Sequence, residues 1–218
     1  MLTLHGFSYS NYYNIPKHVL LHKGVPFEEA LVYPSASGYE RFSPARKVPS
    51  LTTADGRHLS EAAVLCEYIE DAYPEPALFP ADPWARNHVR QLMHMSELYL
   101  ELPCRRLIPF SFRNEVPPAA LCAEVGAVVD RGVASMNALC DIDPYLTGAT
   151  LTMADIYVRY VLSVVGLATT LLDRDVVAEI DGLGAWAERM AADPVSKRVD
   201  ADMAANRDDF FAYIGSLA

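Results

Sequence analysis

The stretch ARKVPSLTTADGRHLSEAAVLCEYIEDAYP, residues 45–74, changes periodicity three times within thirty positions. PSLTT and RHLS flank Ala54-Asp55-Gly56, and an Asp-Gly step between two short β-prone runs predicts a hairpin. From Glu61 onward Val64, Leu65, Tyr68, Ile69 and Ala72 recur at helical spacing, the stripe of a helix that packs one face on a sheet. Upstream, residues 2–5 and 27–32 read as strands. Between them NIPKHVLLHKG places Ile15, Val19, Leu20 and Lys23 at helical spacing before a stopping Gly24. A strand, helix, strand unit followed by a hairpin and a helix requires a small mixed sheet.

YPEPALFPADP, residues 73–83, carries four prolines and almost no periodicity, the signature of an extended and stiff connection. It divides the chain into a first domain over 1–75, a linker over 76–83 and a helical domain over 84–218. Helices are predicted over 84–102, 118–140, 153–172 and 176–192, with a final pair between 194 and 215. Within LTMADIYV, Thr152 and Asp155 have capping-box spacing, and Leu151 and Ile156 are placed as its hydrophobic staple.

Composition narrows the function classes. Eighteen basic against 28 acidic residues give a net charge of -10, which repels phosphate backbones and anionic lipid, so no nucleic-acid or membrane partner is expected. The apolar run VLSVVGLATTLL, residues 161–172, is short for a bilayer and reads as a buried helix. MLTLHGFSYS lacks the pattern of a signal peptide. Cys66, Cys104, Cys122 and Cys140 form neither a CxxC pair nor a Cys/His cluster, which points to reduced thiols, no metal and a cytoplasmic setting. His88 and His94 near Glu97 do not reproduce a metal-binding helix motif.

The order of elements resembles the thioredoxin-like arrangement, in which the proline before the third strand is typically cis and the residue ahead of it keeps a free backbone edge. Val48-Pro49 stands at that position. An extended peptide pairs with such an edge as a short added strand. The following helix offers unpaired amides for a carboxylate, and Glu61 at the same end offers a partner for an ammonium group. Glutathione has this combination of groups.

Over essentially the whole chain the sequence resembles the cytosolic glutathione S-transferase family of bacterial type. The matching pieces are SPARKVPSL, LSEAAVLCEYIEDAYP, LTMADIYV and the proline connection to an all-helical second domain. The resemblance implies a thioredoxin-like domain that binds glutathione through Lys47, Val48, Pro49, Glu61 and Ala62. It further implies an all-α domain that supplies an apolar pocket for a small electrophile, and a homodimer. Two positions depart from the family. Ala62 replaces a serine that holds the γ-glutamyl carboxylate, and Arg46 replaces a glycine. Losing a hydrogen bond to a charged group costs about 1.5–3 kcal/mol, so Ala62 also fits a non-enzymatic binding or regulatory protein on the same scaffold.

The family's chemistry stabilises the glutathione thiolate with a donor between the first strand and the first helix. FSYSNYYNIPK offers Ser8, Tyr9, Ser10, Asn11, Tyr12 and Tyr13. By the resemblance, Ser10 falls where serine-using classes keep their serine, and Tyr12 falls where beta-type classes keep a cysteine. The alternative for such a Ser/Asn/Tyr-rich turn is plain helix capping. An isomerase of the zeta class would carry Ser-Ser-Cys here, which is absent, and a disulfide oxidoreductase would need a cysteine.

Overall fold

The computed structural model describes residues 1–217. By contacts the chain forms two compact units. One contains Met1–Ala77 together with the segment from Ala192 to the end of the described chain, and the other contains Leu78–Ala191.

The first unit is built on β1 (Leu2–Gly6), α1 (Asn11–His22), β2 (Phe27–Leu31), β3 (Ser50–Thr52), β4 (His58–Ser60) and α2 (Ala62–Ala72). The sheet order is β2-β1-β3-β4, with β1 and β2 parallel and the other two pairs antiparallel. This is the mixed, thioredoxin-like sheet expected from the sequence. Leu4, Leu51, Ile15, Val19, Leu20, Leu65 and Ile69 are fully buried, and each such side chain contributes about 1.5–3 kcal/mol on leaving water. Gly6 is required where it stands, because the Tyr13 ring occupies the space that a Cβ would take. The hairpin forms at Asp55-Gly56, with Gly56 at φ 83°.

Lys23, at helical spacing with Ile15, Val19 and Leu20, is the C-cap of α1 and is buried for a polar reason. Its ammonium lies 2.7 Å from Glu70 and donates to the carbonyls of Tyr73 and Pro76 at 2.9 and 2.6 Å. Lys17 is likewise buried, 2.7 Å from Glu29 and 2.8 Å from Asp202 on α9 (Pro194–Ala205). The expected division put residues 84–218 in one helical domain. Contacts instead place α9 and α10 (Arg207–Gly215) with the sheet, because Lys17 draws Asp202 to α1 and rings on α10 stack on Phe7, Tyr9 and Tyr33.

The loop before β3 explains Arg46. Its φ of 53° lies in the left-handed region, where a glycine is unstrained and another residue costs about 1–2 kcal/mol. The guanidinium offsets this by donating to the Pro34 carbonyl at 3.1 and 3.2 Å and to the Ala36 carbonyl at 3.1 Å.

In the second unit, α3 (Pro83–Ser96) passes through a π-type turn over Glu97–Glu101 into α4 (Leu102–Arg105). It is followed by α5 (Ile108–Arg113), α6 (Ala119–Leu139), α7 (Met153–Thr169) and α8 (Leu183–Ala192). The helices at 102–105 and 108–113 lie almost wholly outside the predicted spans, and each carries a proline, Pro103 and Pro109, near its start. Each proline occupies the first turn of its helix, where no amide is needed. Conversely, the segment expected as helix from 176 is irregular up to Gly182. Asp175 accepts the Val177 and Ala178 amides at 3.1 and 3.2 Å and holds a turn, while the buried Val176 and Ile180 imitate helical spacing.

The stretch Met153–Leu172 is long and apolar enough to cross a membrane by length and composition, yet more than half of it is buried inside the structure. It starts at the expected capping box. Asp155, fully buried, accepts four hydrogen bonds at 2.7–2.9 Å. They come from the Thr152 amide and hydroxyl, the Leu146 amide and the Trp186 indole. Asp155 therefore joins the start of α7 to α8 and to the preceding loop.

Two stability outcomes follow from this architecture. Asp155→Ala orphans four buried donors and removes the helix start, and is expected to lower unfolding free energy by at least about 3 kcal/mol in urea titration. For Arg46 the order of variants is diagnostic: Arg46→Ala keeps the strained backbone without its hydrogen bonds and costs about 1 kcal/mol or more. Arg46→Gly removes the strain as well and lies closer to the parent.

Candidate functional site

The register of the sheet brings three loop ends together. His5 pairs with Ser50, and Ser50 pairs with Ser60. The turn leaving β1, the Val48-Pro49 step entering β3 and the Ser60-Glu61 step leaving β4 consequently share one end of the sheet. The Val48-Pro49 bond is cis. Pro49 is buried and Val48 half-buried, and among the described residues the Val48 amide and carbonyl have no hydrogen-bond partner. Lys47, just upstream, is exposed. Its amide donates to Ser43 Oγ at 3.1 Å and its carbonyl accepts from the buried Tyr39 hydroxyl at 3.2 Å, which fixes the approach to the free edge.

Glu61 is the N-cap of α2, with φ 74° and ψ 118°. A non-glycine residue in such a conformation costs about 1–3 kcal/mol, and its side chain does not repay this by capping the helix. The carboxylate is exposed at the helix start. Ala62 begins α2 and is only 6% exposed, so its methyl packs into the fold and leaves the N-terminal turn without a hydroxyl.

The turn leaving β1 is braced from several sides. Ser8 accepts the Asn14 amide group at its carbonyl (2.9 Å) and the Lys17 ammonium at its hydroxyl (3.4 Å). The Tyr9 amide donates to Asn206 Oδ1 at 3.0 Å. The Tyr13 hydroxyl donates to Glu29 at 2.7 Å, and burial, reinforced by that carboxylate, raises its pKa well above the usual phenol value. Only the Tyr13 hydroxyl is committed as a donor by these bonds and leaves the set offered by the sequence; Ser8, whose hydroxyl accepts, keeps its proton. Ser10 is the N-cap of α1, and its Oγ accepts the Tyr13 amide at 3.4 Å. The capping reading of this turn thus describes Ser10 correctly, but a hydroxyl that accepts still has a proton to donate. Tyr12 lies half-buried in the first turn of the same helix.

Three of the cysteines are poor nucleophiles. Burial raises the thiol of Cys66 far above its usual value. The thiols of Cys104 and Cys140 are both pushed up to about 12, by burial first and then by Glu101 and Asp155 respectively. Among the described residues no three His, Cys, Asp or Glu side chains converge on a metal position.

Sequence reasoning missed the approach of the C-terminal segment to this turn. The signal available was Lys17, a lysine on the inner face of a helix that has to find carboxylates inside the fold; nothing in the sequence singled out Asn206.

The family model described as glutathione S-transferase, N-terminal domain, matches residues 4–77. A maleylpyruvate isomerase from Ralstonia sp. is 30% identical over 146 residues, covering 62% of this chain and 68% of that one. The crystal structure of a glutathione S-transferase from Methylobacterium radiotolerans, in complex with glutathione sulfonate, shares the fold with a TM-score of 0.75. It covers 91% of this chain and 93% of that one at 22% identity. A glutathione S-transferase from Pseudomonas putida is 36% identical over 218 residues, 99% of each chain. With a relative of that identity along its whole length and the family match across its sheet, the chain belongs to the glutathione S-transferase family.

Proposed function

We propose that the protein is a glutathione transferase that binds glutathione at the end of the sheet and activates its thiol for attack on a small apolar electrophile. The observation that carries this reading is Ser10. Its hydroxyl oxygen is held by the Tyr13 amide at the positive end of a twelve-residue helix, on the same side of the sheet as the Val48 edge and Glu61.

In this reading the cysteinyl backbone of glutathione pairs with Val48, supported by Pro49. The γ-glutamyl ammonium meets Glu61, and its carboxylate meets the amides at the start of α2, at Ala62. Lys47 faces the glycyl carboxylate. Lowering a thiol pKa of about 8.5 by two units takes roughly 2.7 kcal/mol. One hydrogen bond to the charged form supplies about 1.5–3 kcal/mol and the helix end about 0.3–1 kcal/mol, so Ser10 and α1 suffice together. Tyr12 is the alternate donor on the same turn. The thiolate sulfur then forms a bond to the electrophilic carbon, and the displaced group leaves with the electron pair of its old bond.

Tyr9, stacked on Phe210 at 4.6 Å and edge-on to Phe211 at 5.7 Å, places aromatic surface next to Ser10, which suits an apolar electrophile. Detoxifying conjugation in the cytoplasm fits free cysteines, with the thiols of Cys66, Cys104 and Cys140 raised by burial. Assembly as a homodimer belongs to the same reading, with Leu98 and Leu102 of the helical unit as exposed apolar surface for a partner to cover. The similarity to a maleylpyruvate isomerase favours glutathione-dependent isomerisation as the second reading.

The test is a contrast between two variants with glutathione and a dinitrohalobenzene. Ser10→Ala is expected to lower kcat by about 10- to 100-fold with little change in glutathione affinity, because the hydroxyl acts on the thiolate. Glu61→Ala is expected to weaken glutathione binding by about tenfold or more in calorimetry while retaining most of kcat at saturation. Parental turnover in the first variant would move the donor to Tyr12, and unchanged affinity in the second would remove Glu61 from the ammonium site.

A further inference from the structure

The turn that carries Ser10 is held by a residue almost two hundred positions away. Asn206 sits at the junction of α9 and α10, as the C-cap of one helix and the N-cap of the next. Its backbone is fixed on both sides, since its amide donates to the Asp202 carbonyl at 3.1 Å and its carbonyl accepts the Phe210 amide at 3.0 Å. Its side-chain oxygen accepts the Tyr9 amide at 3.0 Å. The junction is itself anchored, because Asp202, one turn earlier, lies 2.8 Å from the buried Lys17 ammonium, and Phe210, one turn later, stacks on Phe7 and Tyr9 at 5.5 and 4.6 Å. Asn206 therefore meets Tyr9 as a fixed acceptor.

We propose that Asn206 is a positioning residue for the transferase reaction, which holds the Phe7–Ser10 turn through the Tyr9 amide and so aims the Ser10 hydroxyl at the sulfur. The inference rests on the reading of Ser10 given above. The Ser10 amide donates to the Phe7 carbonyl at 3.0 Å and so closes a tight turn across Tyr9. The peptide plane between Ser8 and Tyr9 sets the direction in which Ser10 enters the helix. With the acceptor gone, the Tyr9 amide has to turn toward water, and that plane is no longer fixed. The hydroxyl remains present but spends less of its time in line with the thiolate. Displacements of this kind, well short of losing the group, cost tenfold to a hundredfold in rate.

The experiment compares the full-length parent, Asn206→Ala, Ser10→Ala and the double variant. Three quantities are measured: kcat, glutathione affinity, and the pKa of bound glutathione from thiolate absorbance near 240 nm. Asn206→Ala is expected to lower kcat about tenfold and to raise the pKa of the bound thiol, with affinity held within about twofold. In the Ser10→Ala background the same change is expected to have almost no further effect. Hydrogen exchange supplies a readout independent of activity: the Tyr9 amide is protected in the parent and loses that protection in Asn206→Ala, while amides within β1 keep theirs.

An unprotected Tyr9 amide in the parent overturns the inference, as does an Asn206→Ala protein with parental kcat and thiol pKa. An equal loss in both backgrounds overturns it too, because Asn206 would then act by some route other than Ser10. Parental kcat in Ser10→Ala, by contrast, defeats the Ser10 assignment itself. That single variant separates failure of the functional reading from failure of the inference about Asn206.

Discussion

Lys17 is a cation with 1% of its surface exposed, and the arrangement around it decides where the turn after β1 can lie. A buried ammonium is tolerated only when carboxylates and hydrogen-bond acceptors surround it. Glu29 on β2 and Asp202 on α9 supply the charge, and Ser8 supplies an oxygen from the turn itself. Removing either carboxylate leaves the buried ammonium short of counter-charge, so α1, the sheet and the C-terminal helices are bound to one geometry. Glu29 has a second duty in accepting the Tyr13 hydroxyl, which seats the ring against Gly6. The short segment between Gly6 and Asn11 is thereby defined at both ends before any ligand arrives.

That rigidity has a chemical purpose in a site that works by stabilising charge. A donor lowers a thiol pKa only in proportion to the time it spends correctly aimed, and a preformed donor needs no reorganisation as the charge develops. The Val48 and Glu61 part of this end of the sheet is built on the same principle with backbone. Val48 presents an unpaired edge because Pro49 enters the strand after it, and Glu61 projects from a left-handed conformation that only the surrounding fold maintains. Arg46 shows how local the solution to such a constraint can be. At a φ of 53°, where glycine is unstrained, this chain uses a residue whose side chain ties the backbone down.

Much of this was legible in the sequence. The hairpin at Asp55-Gly56 and the Thr152/Asp155 box rest on local patterns with a fixed spacing, and the structure contains both. The helix predicted from Glu61 also forms, but Val64 and Ala72 of its expected stripe are exposed and Leu65, Cys66 and Ile69 make its buried face. Two short helices were not legible because proline is ambiguous: the residue that breaks a helix from within also begins one, and only the backbone on either side decides. The C-terminal helices were read correctly as helices, but their allegiance was invisible. It depends on a salt bridge between positions 17 and 202 and on stacking between positions 9 and 210, pairings that no periodicity encodes. At the site, the sequence offered Ser10 and Tyr12 among six residues of one turn, while the acceptance of the Tyr13 amide by Ser10 is visible only in three dimensions.

The membership of the two compact units has a consequence for how the chain comes into being. Residues 78–191 are contiguous, whereas the sheet-bearing unit is closed by a segment that follows them. During synthesis from the N-terminus, β1 to α2 emerge first, yet Lys17 has only one of its two carboxylates until α9 leaves the ribosome. The helical unit can complete its contacts while the older unit is still waiting. The first part of the protein to be made is therefore the last to be finished, and contacts between its two ends are separated by almost the whole chain, the situation in which ordering is slowest. A ribosome that stops short of Asp202 releases a chain in which Lys17 lacks the second of its two carboxylates.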